Sequence, residues 1–236
     1  FADEVLIVDG GSKDRSIQVA IAAGARVVER PFDAFAHQRN FALSQATGKW
    51  VFFLDADERI TQPAAEQIAA AVARCDADAY RIARVSVALG ERLDWHPGGA
   101  DAPIRLMKRT RAAFEGSVHE RCIVEGTVGE LSGPIEHRTH RSISELVRKI
   151  DRYSTLEADE LVGRGARVLP AWRVMWTMTS TAWRYWRQGL RKHGMAGAVE
   201  AISLAYDRVL VAAKIWEAEH RDQIEQAYSE ERPARR

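Results

Sequence analysis

Two aspartates stand two residues apart in Leu54-Asp55-Ala56-Asp57-Glu58, directly behind the apolar run Trp50-Val51-Phe52-Phe53-Leu54. Side chains alternate along extended chain, so Asp55 and Asp57 can point to one side where such a strand ends. Paired carboxylates at that place suit a hard divalent cation that keeps several waters and bridges to phosphate oxygens. The bland alternative is that Asp57 and its neighbours cap the next helix. A second polar loop, Asp9-Gly10-Gly11-Ser12-Lys13-Asp14, follows the short apolar run at 5–8. Its glycines let backbone approach a ligand closely, a helix N-terminus follows, and Asp9 could accept a hydrogen bond from a base or ribose. It is not a G-x-G-x-x-G turn, which argues against a dinucleotide.

The elements that must position these loops alternate. Residues 5–8 read as a strand, and a helix follows with Ile17, Ala20 and Ile21 on one face, closed by Gly24. Residues 26–29 read as a second strand and 36–46 as a helix with Gly48 as its C-cap. The run at 50–54 is apolar on both sides, as a central parallel strand covered on both faces would be. Such a βαβαβ order predicts a doubly wound α/β sheet, which binds ligands beyond the carboxyl ends of its strands. After Pro63 an alanine-rich helix runs to Arg74, then strand-like pieces appear at 79–87, 104–108 and 121–125. Ser142-Ile143-Ser144-Glu145 fits a capping box, and helical periodicity continues from there to about residue 220. The expected division is a body at 1–140 and a helical appendage at 141–236.

The loop at 9–14, the helix carrying Gln38-Arg39-Asn40-Phe41-Ala42-Leu43 and the acidic triplet occur in an order that resembles glycosyltransferase family 2, of the GT-A fold. Gly116-Ser117-Val118-His119-Glu120 and the segment 137–153 are similar to the branch that builds the bacterial lipopolysaccharide core. The usual loop reads Asp-Ser-Gly-Ser-Thr-Asp or Asp-Asp-Gly-Ser-Thr-Asp, and Gly10 and Lys13 depart from it. Family members also begin with a strand upstream of Phe1, so the mixed sheet is expected to lack its first strand in this chain. The absence of a starting Met agrees with a piece upstream.

The resemblance implies a nucleotide-sugar donor, UDP-linked, and a lipid-linked saccharide acceptor. Asp9 would contact uracil or ribose with Ser12 beside it, Asp14 would support that loop, and Arg39 with Asn40 would approach the nucleotide or diphosphate. Asp55 would lie near the ribose and share the metal site with Asp57, which would hold Mg²⁺ or Mn²⁺. An inverting transfer needs one base to take the acceptor's proton as it attacks. Glu120 is the candidate and Asp101, in Gly98-Gly99-Ala100-Asp101, the runner-up; Glu120 could instead pair with Arg121 at the surface. His119 could orient Glu120 or bind diphosphate, and His137 or His140 could complete the metal shell, although scattered histidines are more often ordinary polar residues. Cys75 and Cys122 have no partners at zinc-ligand spacing and are assigned no chemistry.

Length and composition, 236 residues with 46% hydrophobic and 28% charged, describe a chain able to bury a core and exclude disorder as its main state. The net charge of +1 is unevenly spread: residues 161–199 hold seven basic residues and no acid, which leaves 27 basic against 33 acidic residues elsewhere. On a helical wheel Arg173, Arg184, Arg187 and Arg191 fall within about 60°, beside an arc of about 80° that holds Trp172, Trp176, Trp183 and Trp186. Adjoining arginine and tryptophan faces fit a helix lying on an anionic membrane surface. The alternative is that the tryptophans pack on the body and the arginines are solvated. No apolar run approaches the roughly 20 residues that span a bilayer. The expected enzyme is cytoplasmic and peripheral on the inner face of a bacterial inner membrane. A nucleic-acid-binding protein using the Arg and Trp helix is the competing class, disfavoured by the acidic body, and an inactive scaffold is a third.

Overall fold

The computed structural model describes residues 2–94, 101–116 and 120–229. It divides into two compact units: Phe1–Val85 with Ala100–His137, and Ser86–Gly99 with Arg138–Arg236. The division is discontinuous, where the sequence reading has a single cut at residue 140.

In the first unit β1 (Leu6–Asp9), α1 (Ser16–Ala22) and β2 (Arg26–Glu29) form a βαβ unit whose two strands pair in parallel, Leu6 opposite Arg26 through Asp9 opposite Glu29. Then come α2 (Phe35–Gln45), β3 (Trp50–Phe52), β4 (Glu58–Ile60), α3 (Gln62–Arg74) and β5 (Ala79–Ala88). The short β6 (Glu91–Leu93) belongs to the second unit; β7 (Ile104–Lys108), β8 (Ala112–Glu115), β9 (Arg121–Val124) and β10 (Val128–His140) follow. The main sheet has the order β3-β7-β5-β10-β4, with β6 on β5, while β8 and β9 make a separate antiparallel pair.

The alternation of side chains in this sheet sorts them onto two helices. Tyr80, Ile82 and Leu106 pack with Leu131 and Ile135 against Ala64, Ile68 and Ala71 of α3. Their neighbours Ala79 and Met107 face the other way, with Phe114, against Ala36 and Leu43 of α2. The run at 50–54 is divided likewise: Trp50 and Phe52 join the α3 side, Val51 and Phe53 the α2 side. Covered faces explain its apolar composition, but the expectation of a central parallel strand does not hold. Among the described residues β3 stands at one end of the sheet order and pairs antiparallel with β7, Trp50 opposite Lys108. Burial is written in composition, whereas strand direction is set by a partner far away in sequence.

Other expectations are adjusted in detail. In α1 Ala20 is buried but Ile21 is 58% exposed. Gly48 is not a left-handed helix cap, since α2 ends at an extended Ala46. The 13-residue β10 has no counterpart in the sequence reading, its period interrupted by Gly129, Gly133 and Pro134. Gly133 is needed there: a Cβ on it would lie 2.7 Å from the Pro63 carbonyl oxygen, where β10 passes the start of α3. Thr61 caps that helix, its hydroxyl accepting from the Ala64 N–H and donating to the Pro134 carbonyl.

The second unit contains α4 (Ile143–Gly163), α5 (Ala171–Gln188), a 3-10 turn at Leu190–His193, α6 (Gly194–Glu219) and α7 (Arg221–Ser229). The capping box is present in displaced form: Ser142 Oγ accepts from the Glu145 N–H, and Glu145 accepts from the N–H of Arg141. Ala158 of α4 packs on Val211 and Ile215 of α6. Leu190, Ala196 and Ala201 enclose Ala88 and Leu93, with Tyr185 and Trp186 against them. Apart from Trp186, the tryptophans of α5 are in solvent: Trp172, Trp176 and Trp183 are 66%, 68% and 61% exposed, and Thr181 is the one buried residue of that helix. No helix among the described residues is long and apolar enough to cross a membrane.

Candidate active site

The acidic triplet forms a closed turn at the mouth of β3. The Asp55 N–H donates to Glu58 Oε2 at 2.9 Å and the Glu58 N–H donates to the Asp55 carbonyl at 2.9 Å, which leaves Ala56 and Asp57 at the tip. Glu58 begins β4, and its side chain is fully buried. A buried carboxylate needs compensation, and Arg105 of β7 supplies it, with a side chain only 4% exposed. Arg84 of β5 adds a second contact to Glu58 at 3.3 Å.

These pairs belong to a longer chain of alternating charge. Arg105 also reaches Asp55 at 2.6 Å, Arg39 of α2 reaches Asp55 at 3.0 Å, and the same Arg39 nitrogen lies 3.1 Å from Glu120. At the other end Arg84 pairs with Asp101. Glu120, Arg39, Asp55, Arg105, Glu58, Arg84 and Asp101 thus form one line that joins the two candidate bases, Glu120 and Asp101. Arg39 is further held between aromatic faces, its guanidinium carbon 5.5 Å from the ring centres of both Phe53 and Phe114. Partial burial works to raise the pKa of Asp55, but Arg105 and Arg39 outweigh it, so the carboxyl titrates below its ordinary range. Glu120 therefore pairs with Arg39, in place of the surface pair with Arg121 that the sequence left open.

The other predicted residues are placed less centrally. Asp9, at the end of β1, turns back on its own loop: Oδ2 accepts from the N–H groups of Gly11 and Ser12, both at 2.8 Å, and Oδ1 accepts from the Ser12 hydroxyl. The Ser12 hydroxyl and these N–H groups hold its pKa low. Asp14 accepts from the Ser16 N–H at the start of α1. Asn40 is taken up by β8, its amide exchanging two 2.8 Å bonds with the backbone of Phe114. Asp57 meets His137 of β10, with Nε2 3.1 Å from Oδ2. His140 lies in the second unit beside Glu200. His119, and the Gly98-Gly99-Ala100 part of the Asp101 loop, lie outside the described residues. Cys75 is exposed, and burial pushes the Cys122 thiol up to about 11, so Cys122 is not an activated thiol.

Residues 1–124 match the family model described as Glycosyl transferase family 2. The chain belongs to glycosyl transferase family 2. The transferase is 33% identical over 224 residues to the lipopolysaccharide core biosynthesis glycosyltransferase LpsC of Rhizobium meliloti, covering 91% of this chain and 83% of that protein. It is 27% identical over 234 residues to an uncharacterized glycosyltransferase of Rickettsia typhi, covering 92% and 79%, and 28% identical over 233 residues to one of Rickettsia prowazekii, covering 91% and 78%. Its mixed sheet flanked by α2 and α3, continued by C-terminal helices, is an α/β architecture of the GT-A type.

Within the transferase, sequence reasoning missed Arg84 and Arg105 and gave Glu58 no role. One signal was available: Arg105 interrupts the apolar Ile104-Arg105-Leu106-Met107, and a charge inside a buried strand requires a partner. The donor set at the turn also fits a divalent ion. Asp57 offers a hard carboxylate oxygen, 41% exposed, with one imidazole beside it. Among the described residues no group of three or more His, Cys, Asp or Glu converges, so the remaining positions would fall to water and phosphate oxygens, a common arrangement in nucleotide-handling enzymes.

Proposed function

We propose that this glycosyltransferase moves a hexosyl group from a UDP-linked donor to a saccharide of the lipopolysaccharide core or a related lipid-linked acceptor, inverting the anomeric centre and using Mg²⁺ or Mn²⁺. The observation that carries this reading is the ionic line from Glu120 through Arg39 to Asp55, two residues from Asp57, within a family 2 chain. Asp57 would hold the cation, whose contribution when bound is to neutralise the charge growing on the departing diphosphate. Arg39 approaches the diphosphate, Asp55 lies towards the ribose, and the loop shaped by Asp9 and Ser12 and anchored by Asp14 lines the donor side. Asn40 serves the donor side indirectly, by fixing β8 against α2. Glu120 accepts the proton of the acceptor hydroxyl while that oxygen attacks the anomeric carbon and the bond from that carbon to the diphosphate oxygen breaks. Asp101 is the alternative base. LpsC, with its lipopolysaccharide-core role, supports the acceptor class.

Nucleotide binding tests the donor side directly. A ligand that binds only the folded state stabilises it by about 2.7 kcal/mol at 100 times its dissociation constant, so UDP with Mn²⁺ should raise the melting temperature measurably. In Asp57→Ala the metal-dependent part of UDP binding, read by calorimetry, is expected to vanish while the unfolding midpoint without ligand is kept. UDP and Mn²⁺ binding in Asp57→Ala as tightly as in the parent would remove the metal from Asp57.

The acceptor's lipid anchor calls for a way to reach a membrane, and α5 supplies the chemistry. Its three exposed tryptophans adjoin exposed Arg173, Arg184 and Arg187, and no acid lies between 161 and 199. Indoles sit well at headgroup depth and guanidinium groups on phosphates, so we read the region 141–236 as the membrane-associating part of a peripheral protein at the cytoplasmic face of the inner membrane. Each basic residue near an anionic surface contributes about 1 kcal/mol, so Arg184→Glu with Arg187→Glu should weaken binding by at least about 2 kcal/mol, roughly thirtyfold. Co-sedimentation with phosphatidylglycerol vesicles at low salt reads this loss. Equal recovery with neutral vesicles, or no response to the double reversal, would sink the membrane assignment.

A further inference from the structure

Helix α6 is apolar on two opposite sides. Gly197, Ala201, Ala205 and Val211 are buried within the second unit. At 100° per residue Met195, Val199, Ile202, Tyr206, Val209 and Ala213 fall within an arc of about 80° on the other side, and no further residue from 195 to 213 falls inside it. This stripe, about 27 Å long, is left to solvent: Met195, Ile202 and Tyr206 are 79%, 64% and 42% exposed. The charges of the same stretch stay clear of it. Glu200 and Asp207, each with a side chain 19% exposed, lie beside His140 and Arg208.

A long uncharged face calls for a cover, and the chain entering α6 shows of what kind. The turn at Leu190–His193 exposes Arg191 and Lys192, and α5 before it exposes Trp172, Trp176 and Trp183 beside Arg173, Arg184 and Arg187. The two helices form one packed pair, with Leu190, Ala196 and Ala201 against Tyr185 and Trp186. Acids gather only past the stripe, at Glu217, Glu219, Asp222 and Glu225. A basic, indole-bearing approach to an uncharged stripe complements a layer that carries anionic phosphates over hydrocarbon. No helix among the described residues can cross such a layer, so α6 would lie along it.

Resting on the reading that this region meets an anionic membrane, we infer that α6 lays the stripe from Met195 to Ala213 among the acyl chains while α5 holds the headgroup phosphates. The two helices then contribute in different ways. Attraction between arginine and phosphate weakens as salt screens it, whereas transfer of apolar side chains from water into hydrocarbon does not. Helix α6 is the salt-resistant anchor, and α5 makes the attachment selective for anionic lipid.

Co-sedimentation of the full chain with phosphatidylglycerol vesicles at low and high salt separates the two contributions. The unaltered protein should keep a measurable share of its binding at high salt. Met195→Glu with Ile202→Glu should remove that share, lowering the high-salt association constant about tenfold or more. Its unfolding midpoint without vesicles should match the parent's, because both sites are exposed. Arg184→Glu with Arg187→Glu should weaken binding at low salt and leave the high-salt share. Binding by the unaltered protein that vanishes at high salt overturns the α6 proposal and leaves the α5 reading, whereas no binding even at low salt overturns both. Salt-resistant binding retained in Met195→Glu with Ile202→Glu overturns the proposal as well. So does sedimentation equilibrium that shows a lipid-free dimer dissociated by this pair of changes, since a second copy is then the cover. Should the double variant fail to fold, Ile202→Asn alone, with a severalfold loss expected at high salt, gives the same decision.

Discussion

Glu120→Gln lowers the turnover of glycosyl transfer by about 10²–10⁴, the range ascribed to a positioned general base, while donor affinity stays near that of the parent. Glutamine has nearly the shape of glutamate and keeps an oxygen that can accept from Arg39 at the 3.1 Å now spanned by the ion pair. The substitution therefore removes the capacity to take a proton and disturbs the surrounding geometry little. Asp101→Asn is the matching comparison. Its carboxylate pairs with Arg84, and its backbone carbonyl accepts from the Arg84 N–H at 2.7 Å, so Asp101 is tied to β5 twice. Steady-state kinetics of the two variants, with UDP binding followed separately, assigns the base. Near-parental turnover in Glu120→Gln together with a large loss in Asp101→Asn would transfer the role to Asp101.

Arg105→Met destabilises the protein by about 3–5 kcal/mol, the cost of leaving a buried charge without its partner. Arg105 and Glu58 have side chains 4% and 0% exposed, and Arg105 also neutralises Asp55. Methionine keeps much of the volume, so the loss reports charge and hydrogen bonding more than a cavity. Arg84, 3.3 Å from Glu58, remains as partial compensation and sets the value towards the lower end. Combining Arg105→Met with Glu58→Gln should cost less than the sum of the single changes, because the second removes the charge that the first exposes. Urea denaturation followed by tryptophan fluorescence measures all three. A shift under about 1 kcal/mol for Arg105→Met would mean that water reaches Glu58 and that the pair is effectively a surface bridge.

Arg39 lies between two candidate roles, and its surroundings explain why one residue can serve both. Two aromatic rings fix its plane, and its terminal nitrogen touches Asp55 and Glu120 at once. On the proposed roles, a diphosphate arriving at this guanidinium would compete with both carboxylates for the same donors, which would couple donor binding to the freedom of the base.

Much of the local structure was legible in the sequence. Apolar period and turn chemistry gave β2 at 26–29, β7 at 104–108, the Ser142 cap and the closing of α1 by Gly24, because each depends on residues within one turn or one strand. The acidic turn at 55–58 was visible as well, since a polar cluster behind a buried run marks a strand end. The ordered motifs pointed to the family, and the family match to residues 1–124 bears that out.

What the sequence could not contain is which distant residue answers each charge. Asn40 reads as a donor ligand until β8, 74 residues later, takes both ends of its amide. Glu58 has no assigned role in the sequence until Arg105, 47 residues on, covers it. Asp57 and His137, 80 residues apart, meet only because β10 pairs with β4 in one register. The sequence by itself determined most of the helices, the strands at 6–9, 26–29, 50–52, 79–88, 104–108 and 121–124 and the polar loops behind them, but not β4, β6, β8 or β10, since hydrophobic period and backbone preference act over a few residues. The tertiary structure alone decided strand direction, the ionic line and the exposure of the α5 tryptophans, because each depends on packing between segments that share no local signal.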